Sequence, residues 1–168
     1  MPFATNDGVR IRYEVEGSGP PLLLHIGGVG GALEDWYDAG YVAALRDAYQ
    51  VILIDPRGQG QSDKPHGPAA YVRSKRIGDV CAVLDAAGIE RTHFWGYSSG
   101  GHVGYGMGMF AGERLHFLIA GGASPLPAPG AIEEFYLYRL VQLGMPAMVA
   151  ELEQGDPNYW ASDGERAR

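Results

Sequence analysis

Val9, Ile11, Tyr13 and Val15 alternate with Arg10, Arg12, Glu14 and Glu16. A period of two over eight residues predicts a strand with one apolar and one polar face. Asn6-Asp7-Gly8 just before it is a turn signal, so Pro2–Thr5 is expected to pair with it as a hairpin. Gly17-Ser18-Gly19-Pro20 closes this unit. Four runs of a different kind follow: Pro21–Ile26, Val51–Asp55, Thr92–Tyr97 and Leu115–Gly121. They are short and almost continuously apolar, which suits strands covered on both faces of a parallel sheet. Helical spacing fills the gaps. It is clearest over Tyr71–Ala87, where Ile77, Val80, Cys81, Leu84 and Ala87 share a face and Gly88 stands in the position of a C-terminal cap. Weaker helices are expected over Trp36–Ala48 and over the glycine-rich Ser99–Ala111.

Strands alternating with helices imply βαβ units, hence an α/β fold with a doubly wound, mostly parallel sheet and an N-terminal antiparallel hairpin. After Gly121 the character changes. Ser124-Pro125-Leu126-Pro127-Ala128-Pro129-Gly130 reads as a linker, and Ala131–Leu143 and Pro146–Glu153 as two helices rich in Leu, Met and aromatic residues. No further strand is expected. The chain therefore divides into a partial α/β core, residues 1–124, and the start of a helical segment, residues 125–168.

Charge and composition narrow the function. A net charge of -7 argues against a nucleic-acid surface. The apolar runs are too short to span a bilayer, and Met1–Gly8 lacks the basic start and apolar core of a signal peptide, so no membrane partner is expected. The single cysteine, Cys81, excludes an internal disulfide framework and fits a cytoplasmic protein; it reads as a small core residue. No His-Glu-x-x-His or paired-cysteine pattern is present, so neither a metal nor a cofactor is expected.

Gly96-Tyr97-Ser98-Ser99-Gly100 matches G-x-S-x-G. The pattern alone is weak, but an apolar strand runs straight into it and a helical segment follows, the setting of a nucleophile elbow. Such a turn holds the serine in a strained backbone conformation with its hydroxyl above the sheet. Side chains at Gly96 or Gly100 would collide with the neighbouring strand and helix, and Gly101 and Gly104 extend that small face. The helix N-terminus beneath Ser98 favours a developing oxyanion. Acyl transfer needs two donors for that oxyanion. One expected donor is the backbone amide of Ser99. The other comes from the loop His25-Ile26-Gly27-Gly28 after the first buried strand. Aligned by strand end, Ile26 occupies the place usual for a histidine and Gly28 supplies the amide; with His25 as that histidine, the donor would be Gly27. Gly28 is the favoured choice.

Asp55-Pro56-Arg57-Gly58-Gln59-Gly60-Gln61-Ser62-Asp63 follows the second buried strand. With this D-x-R-G-x-G-x-S-D run, three motifs agree in order and spacing, and the chain resembles the serine-dependent α/β-hydrolase superfamily in its esterase, lactonase and haloperoxidase-like branch. The resemblance extends from Met1 to about Glu153. It implies an α/β-hydrolase sheet incomplete at its C-terminal side, followed by the start of a helical cap. It also implies that the Asp55–Asp63 loop shapes the site without acting in catalysis. Phe135, Tyr136, Tyr138, Leu140 and Met148 would either line an apolar pocket under the cap or simply pack its helices.

In this fold the catalytic order is Ser, then Asp or Glu, then His. Beyond Ser98 the histidines are His102, one turn along the same helix, and His116, expected to be a satisfied histidine within a buried strand. His66 falls in a Pro/Gly-rich loop and His93 within the strand before the elbow. Asp156 and Asp163 have no histidine after them. The acid and base are therefore expected outside this sequence, through truncation, a separate C-terminal half, or a short variant; truncation is favoured. The function expected is a cofactor-free serine hydrolase acting on a small carboxylic ester or lactone through an acyl-enzyme at Ser98. The alternative is a catalytically incompetent fragment of the fold that serves as a binding or complementation half. An uncovered sheet edge would favour self-association or pairing with that half.

Overall fold

The computed structural model describes residues 1–28 and 30–124. Among these residues six strands form a single sheet: β1 (Phe3–Asn6), β2 (Val9–Glu16), β3 (Pro21–His25), β4 (Gln50–Ile54), β5 (Thr92–Tyr97) and β6 (Leu115–Gly121). Their order across the sheet is β1-β2-β4-β3-β5-β6. β1 and β2 are antiparallel, and β2 joins β4 antiparallel, whereas β4, β3, β5 and β6 run parallel. Asp7 and Gly8 both have positive φ, 51° and 75°, which is the backbone of a tight hairpin turn.

The central strands explain their own sequence. On β3 and β4, Leu23, Ile52 and Ile54 face one side, together with Ile11 and Phe94, and pack against Val80, Val83 and Leu84 of α3 (Arg73–Ala86) and Val103 and Met107 of α4 (Ser99–Phe110). Leu22, Leu24, Val51 and Leu53 face the other side and pack against Leu33, Trp36 and Val42. Both faces are thus covered, so an apolar run rather than an alternating one is required. Each such buried side chain contributes about 1.5–3 kcal/mol.

Several expectations need correction. The segment Trp36–Ala48 is not one helix but two short ones, α1 (Glu34–Asp38) and α2 (Tyr41–Leu45), separated at Gly40, whose φ of 79° no helix accommodates. Arg12, on the expected polar face of β2, is buried, while Val15, on the expected apolar face, is 38% exposed. The carboxylates of Glu14, Glu34 and Asp55 surround the Arg12 guanidinium and make its burial possible. Among the described residues β6 is not a doubly covered strand: it ends the sheet order, and Phe117 and Ile119 stand exposed on it. His116 is correspondingly exposed and is not a core histidine. The expected linker from Pro125 and the two helices beyond it lie outside the described residues.

Candidate active site

β3 and β5 lie side by side, with His25 paired to Gly96, yet the chain leaves them in opposite directions, β3 toward β4 and β5 toward β6. The carboxyl ends of these two strands form the topological switch point, where open α/β sheets place their sites. Both candidate loops arise there.

The turn after β5 is strained. Ser98 has φ 52° and ψ -118°, and among the described residues only it and Asp7 carry positive φ without being glycine. Such a conformation costs about 1–3 kcal/mol and survives only where the surroundings enforce it. The Ser98 amide donates to the Gly121 carbonyl at 2.8 Å, and the Ser98 carbonyl accepts from the His102 amide at 3.2 Å as α4 begins. The Ser98 side chain makes no capping bond to α4, and the residue is half-buried. The hydroxyl is therefore not consumed by the helix it starts.

Close approach explains the flanking glycines. A Cβ at Gly96 would run into the Gly100 carbonyl, and one at Gly100 would meet the His25 carbonyl and lie 2.9 Å from His25 Nδ1. A Cβ at Gly101 would come within 2.7 Å of the Ala123 Cβ, and one at Gly104 within 2.7 Å of Leu118 Cδ1. The same constraint appears across the site. A Cβ at Gly27 would strike the Tyr97 carbonyl and approach the Ser98 Cβ to 2.7 Å. Gly27 is thus pressed against the elbow. Gly28, the next residue, has φ 86° and open space where a Cβ would stand. Ser99 is the first residue of α4, where backbone amides have no partner within the helix.

The five histidines are dispersed. His25 is fully buried; burial, reinforced by the positive charge of Arg76, pushes its pKa down to about 4, so the ring is neutral near pH 7. Its Nδ1 lies 2.9 Å from the Ile26 carbonyl and sits against Gly100. His102 lies one turn beyond Ser98 on α4, with its ring 6.4 Å from that of Tyr105. His93 and His116 meet across β5 and β6 with ring centres 5.4 Å apart, and His66 is exposed. Among the described residues, no three or more metal-ligating side chains gather. Cys81 is half-buried against the core, and burial raises its thiol pKa, as expected of a packing cysteine.

The loop after β4 supports the site. The Asp55 carboxylate is fully buried and occupied on both oxygens: Oδ1 accepts from the Leu33 amide at 2.8 Å, and Oδ2 accepts from the Gln61 amide at 2.8 Å and from Arg12 at 3.2 Å. Ser62 donates to the Asp55 carbonyl at 2.7 Å and accepts from the Arg12 amide at 2.8 Å. Arg57 is buried against Asp79, donating through Nε at 2.6 Å, and this bond raises its pKa. Asp63 pairs with Arg10 at the surface. None of these groups is spare for chemistry. One contact had no sequence signal: Gln59 Nε2 donates to the Gly28 carbonyl at 2.8 Å. A glutamine between two glycines carries no periodicity, and its partner is 31 residues away.

Known proteins resemble this chain in sequence and fold. The family model described as alpha/beta hydrolase fold matches residues 20–145. A protein of Azorhizobium caulinodans named carbamate hydrolase RutD is 37% identical over 118 residues, covering 70% of this chain and 43% of the relative. The crystal structure of a hydrolase from Pseudomonas aeruginosa PA01 superposes with a TM-score of 0.75 at 32% identity, over 89% of this chain and 56% of that one. An enol-lactonase from Burkholderia xenovorans LB400 superposes with a TM-score of 0.72 at 27% identity, over 90% of this chain and 58% of that one. The chain thus spans roughly half the length of these relatives. A strained serine between β5 and α4, a glycine loop pressed against it from β3, and a family match across three quarters of the sequence lead to one assignment: the chain belongs to the alpha/beta hydrolase fold family.

Proposed function

We propose that this chain carries the nucleophile and oxyanion site of a cofactor-free serine hydrolase whose substrate is a small carboxylic ester or lactone. The observation that carries the reading is the backbone of Ser98, strained at φ 52° with its hydroxyl uncommitted to α4. Relatives named as a carbamate hydrolase and an enol-lactonase support an acyl or carbamoyl substrate. In the proposed reaction, Ser98 Oγ bonds to the substrate carbonyl carbon as its proton passes to a histidine base that is none of the five in this sequence. The amides of Gly28 and Ser99 hold the oxyanion. The alcohol leaves with that proton, and water then releases the acid and restores Ser98. In this proposal residues 1–124 supply the hydrolase core and 125–168 begin its cap.

The exposed face of β6 supports a second part of the proposal, that the chain self-associates or pairs with a separate C-terminal half along that edge. No helix among the described residues is long and apolar enough to cross a membrane. A single cysteine supports a cytoplasmic site of action. The test of the chemistry is hydrolysis of a short-chain nitrophenyl ester. Slow turnover through the oxyanion amides alone, lost in Ser98→Ala, is expected; equal background rates in both proteins would favour the incompetent binding fragment instead.

A further inference from the structure

Nothing packs where a Gly28 side chain would stand. No atom outside its chain neighbours lies within 4 Å of where a Cβ would stand, and its φ of 86° is one that glycine adopts freely. An amide on such a residue is a poor oxyanion donor unless something else fixes it, because preorganisation is what makes the donor effective. On one side the fixing is steric: Gly27 is wedged against the Tyr97 carbonyl and the Ser98 Cβ. On the other side the restraint among the described residues is the hydrogen bond from Gln59 Nε2 to the Gly28 carbonyl. The Gly28 amide lies between these two anchors.

Gln59 is itself well placed to act as a restraint. A Cβ at its neighbour Gly60 would overlap the Asp55 carboxylate, so the turn that presents Gln59 is seated directly on that buried group. The same carboxylate holds the far end of the β3–α1 loop through the Leu33 amide at 2.8 Å. One turn therefore ties the loop at both ends. The Gly28 carbonyl only accepts, so the amide orientation of Gln59 is fixed with Nε2 toward it. Gln59 Oε1 is then buried without a partner among the described residues, an arrangement that a purely packing side chain would not impose.

We propose that Gln59 is a positioning residue that holds the Gly28 amide in register with the Ser98 hydroxyl. This rests on the serine-hydrolase reading and on Gly28 as its second donor. The test is the rate at which a fluorophosphonate labels Ser98 in the full chain, together with amide hydrogen exchange and thermal melting. Gln59→Leu is expected to slow labelling about tenfold, a fraction of the loss seen when a donor is deleted outright. Exchange should quicken at Gly27, Gly28, Gly30 and Gly31 while the melting temperature changes little. Gln59→Glu should be slow at pH 7.5 and recover relative to wild type toward pH 4.5, where a protonated carboxyl can again donate to the Gly28 carbonyl. Unchanged labelling and exchange in Gln59→Leu would overturn the proposal, as would a loss matched by global destabilisation with no recovery of Gln59→Glu at low pH. Wild-type protein that folds but takes no label would instead remove the serine-hydrolase reading, and loop exchange alone would then decide whether Gln59 holds Gly28.

Discussion

A neutral imidazole sealed beneath the elbow makes stability depend on pH. His25 titrates near 4 in the folded chain, below the ordinary value of 6.5, because burial disfavours its charged form. The unfolded chain therefore takes up this proton first as pH falls. The stabilisation is complete above about pH 6.5 and is lost progressively toward pH 4, up to about 3 kcal/mol. Wild-type protein should lose several degrees of melting temperature between pH 7.5 and 5, and His25→Gln distinctly less; equal slopes would show that His25 is not the group responsible. Single residues differ sharply in how legible they are. The strained turn at Ser98 is legible because such a turn needs glycine at fixed offsets for close approach, and those offsets are visible in sequence. His25 was ambiguous, since which way a residue at a strand end turns depends on pairing. Arg12 looked solvent-exposed because alternation alone cannot register the three carboxylates that surround it.

At the scale of elements, α4 tests the packing argument within one helix. Its glycines do different things. A Cβ at Gly100 would meet the backbone of His25, which cannot step aside, whereas Gly108 is exposed and its Cβ would find only Leu118 Cδ2 at 3.9 Å. Gly100→Ala should therefore destabilise by about 3 kcal/mol, lowering the melting temperature by roughly 5–10 °C. Gly108→Ala should stabilise by up to about 1 kcal/mol by removing backbone freedom from a helix interior. Similar effects from both, measured by thermal unfolding, would mean that the contact between α4 and β3 is not what requires glycine. The parallel strands were readable because burial on both faces leaves continuous apolar runs. The break between α1 and α2 was not, since the apolar spacing of Trp36, Val42 and Leu45 continues across Gly40 while its φ of 79° ends the first helix.

At the scale of the whole molecule, the sheet formed by the described residues is unevenly finished. The β1 side packs against α3 through the hairpin, with Asn6 bonded to the Lys75 carbonyl and to Asp79. The β6 side presents Phe117 at 60% and Ile119 at 41% exposure on an outermost strand. Exposed apolar edges invite pairing with another chain. Sedimentation is expected to show association that grows with concentration and that the double substitution Phe117→Lys, Ile119→Lys suppresses. A wild-type monomer at every concentration would contradict this. β6 itself was legible as a strand, but its exposure was not, because an apolar run does not say whether both of its faces find cover.

The account stands or falls on whether the elbow and the oxyanion amides make Ser98 reactive even with its base outside this sequence, and the most direct measurement is the intact mass of the purified 168-residue protein after prolonged treatment with a fluorophosphonate. The Ser98 Oγ–phosphorus bond would form as the phosphorus–fluorine bond breaks, with fluoride and the hydroxyl proton leaving. One adduct, absent in Ser98→Ala, is the predicted result. No adduct on folded protein, or one that survives Ser98→Ala, would contradict it.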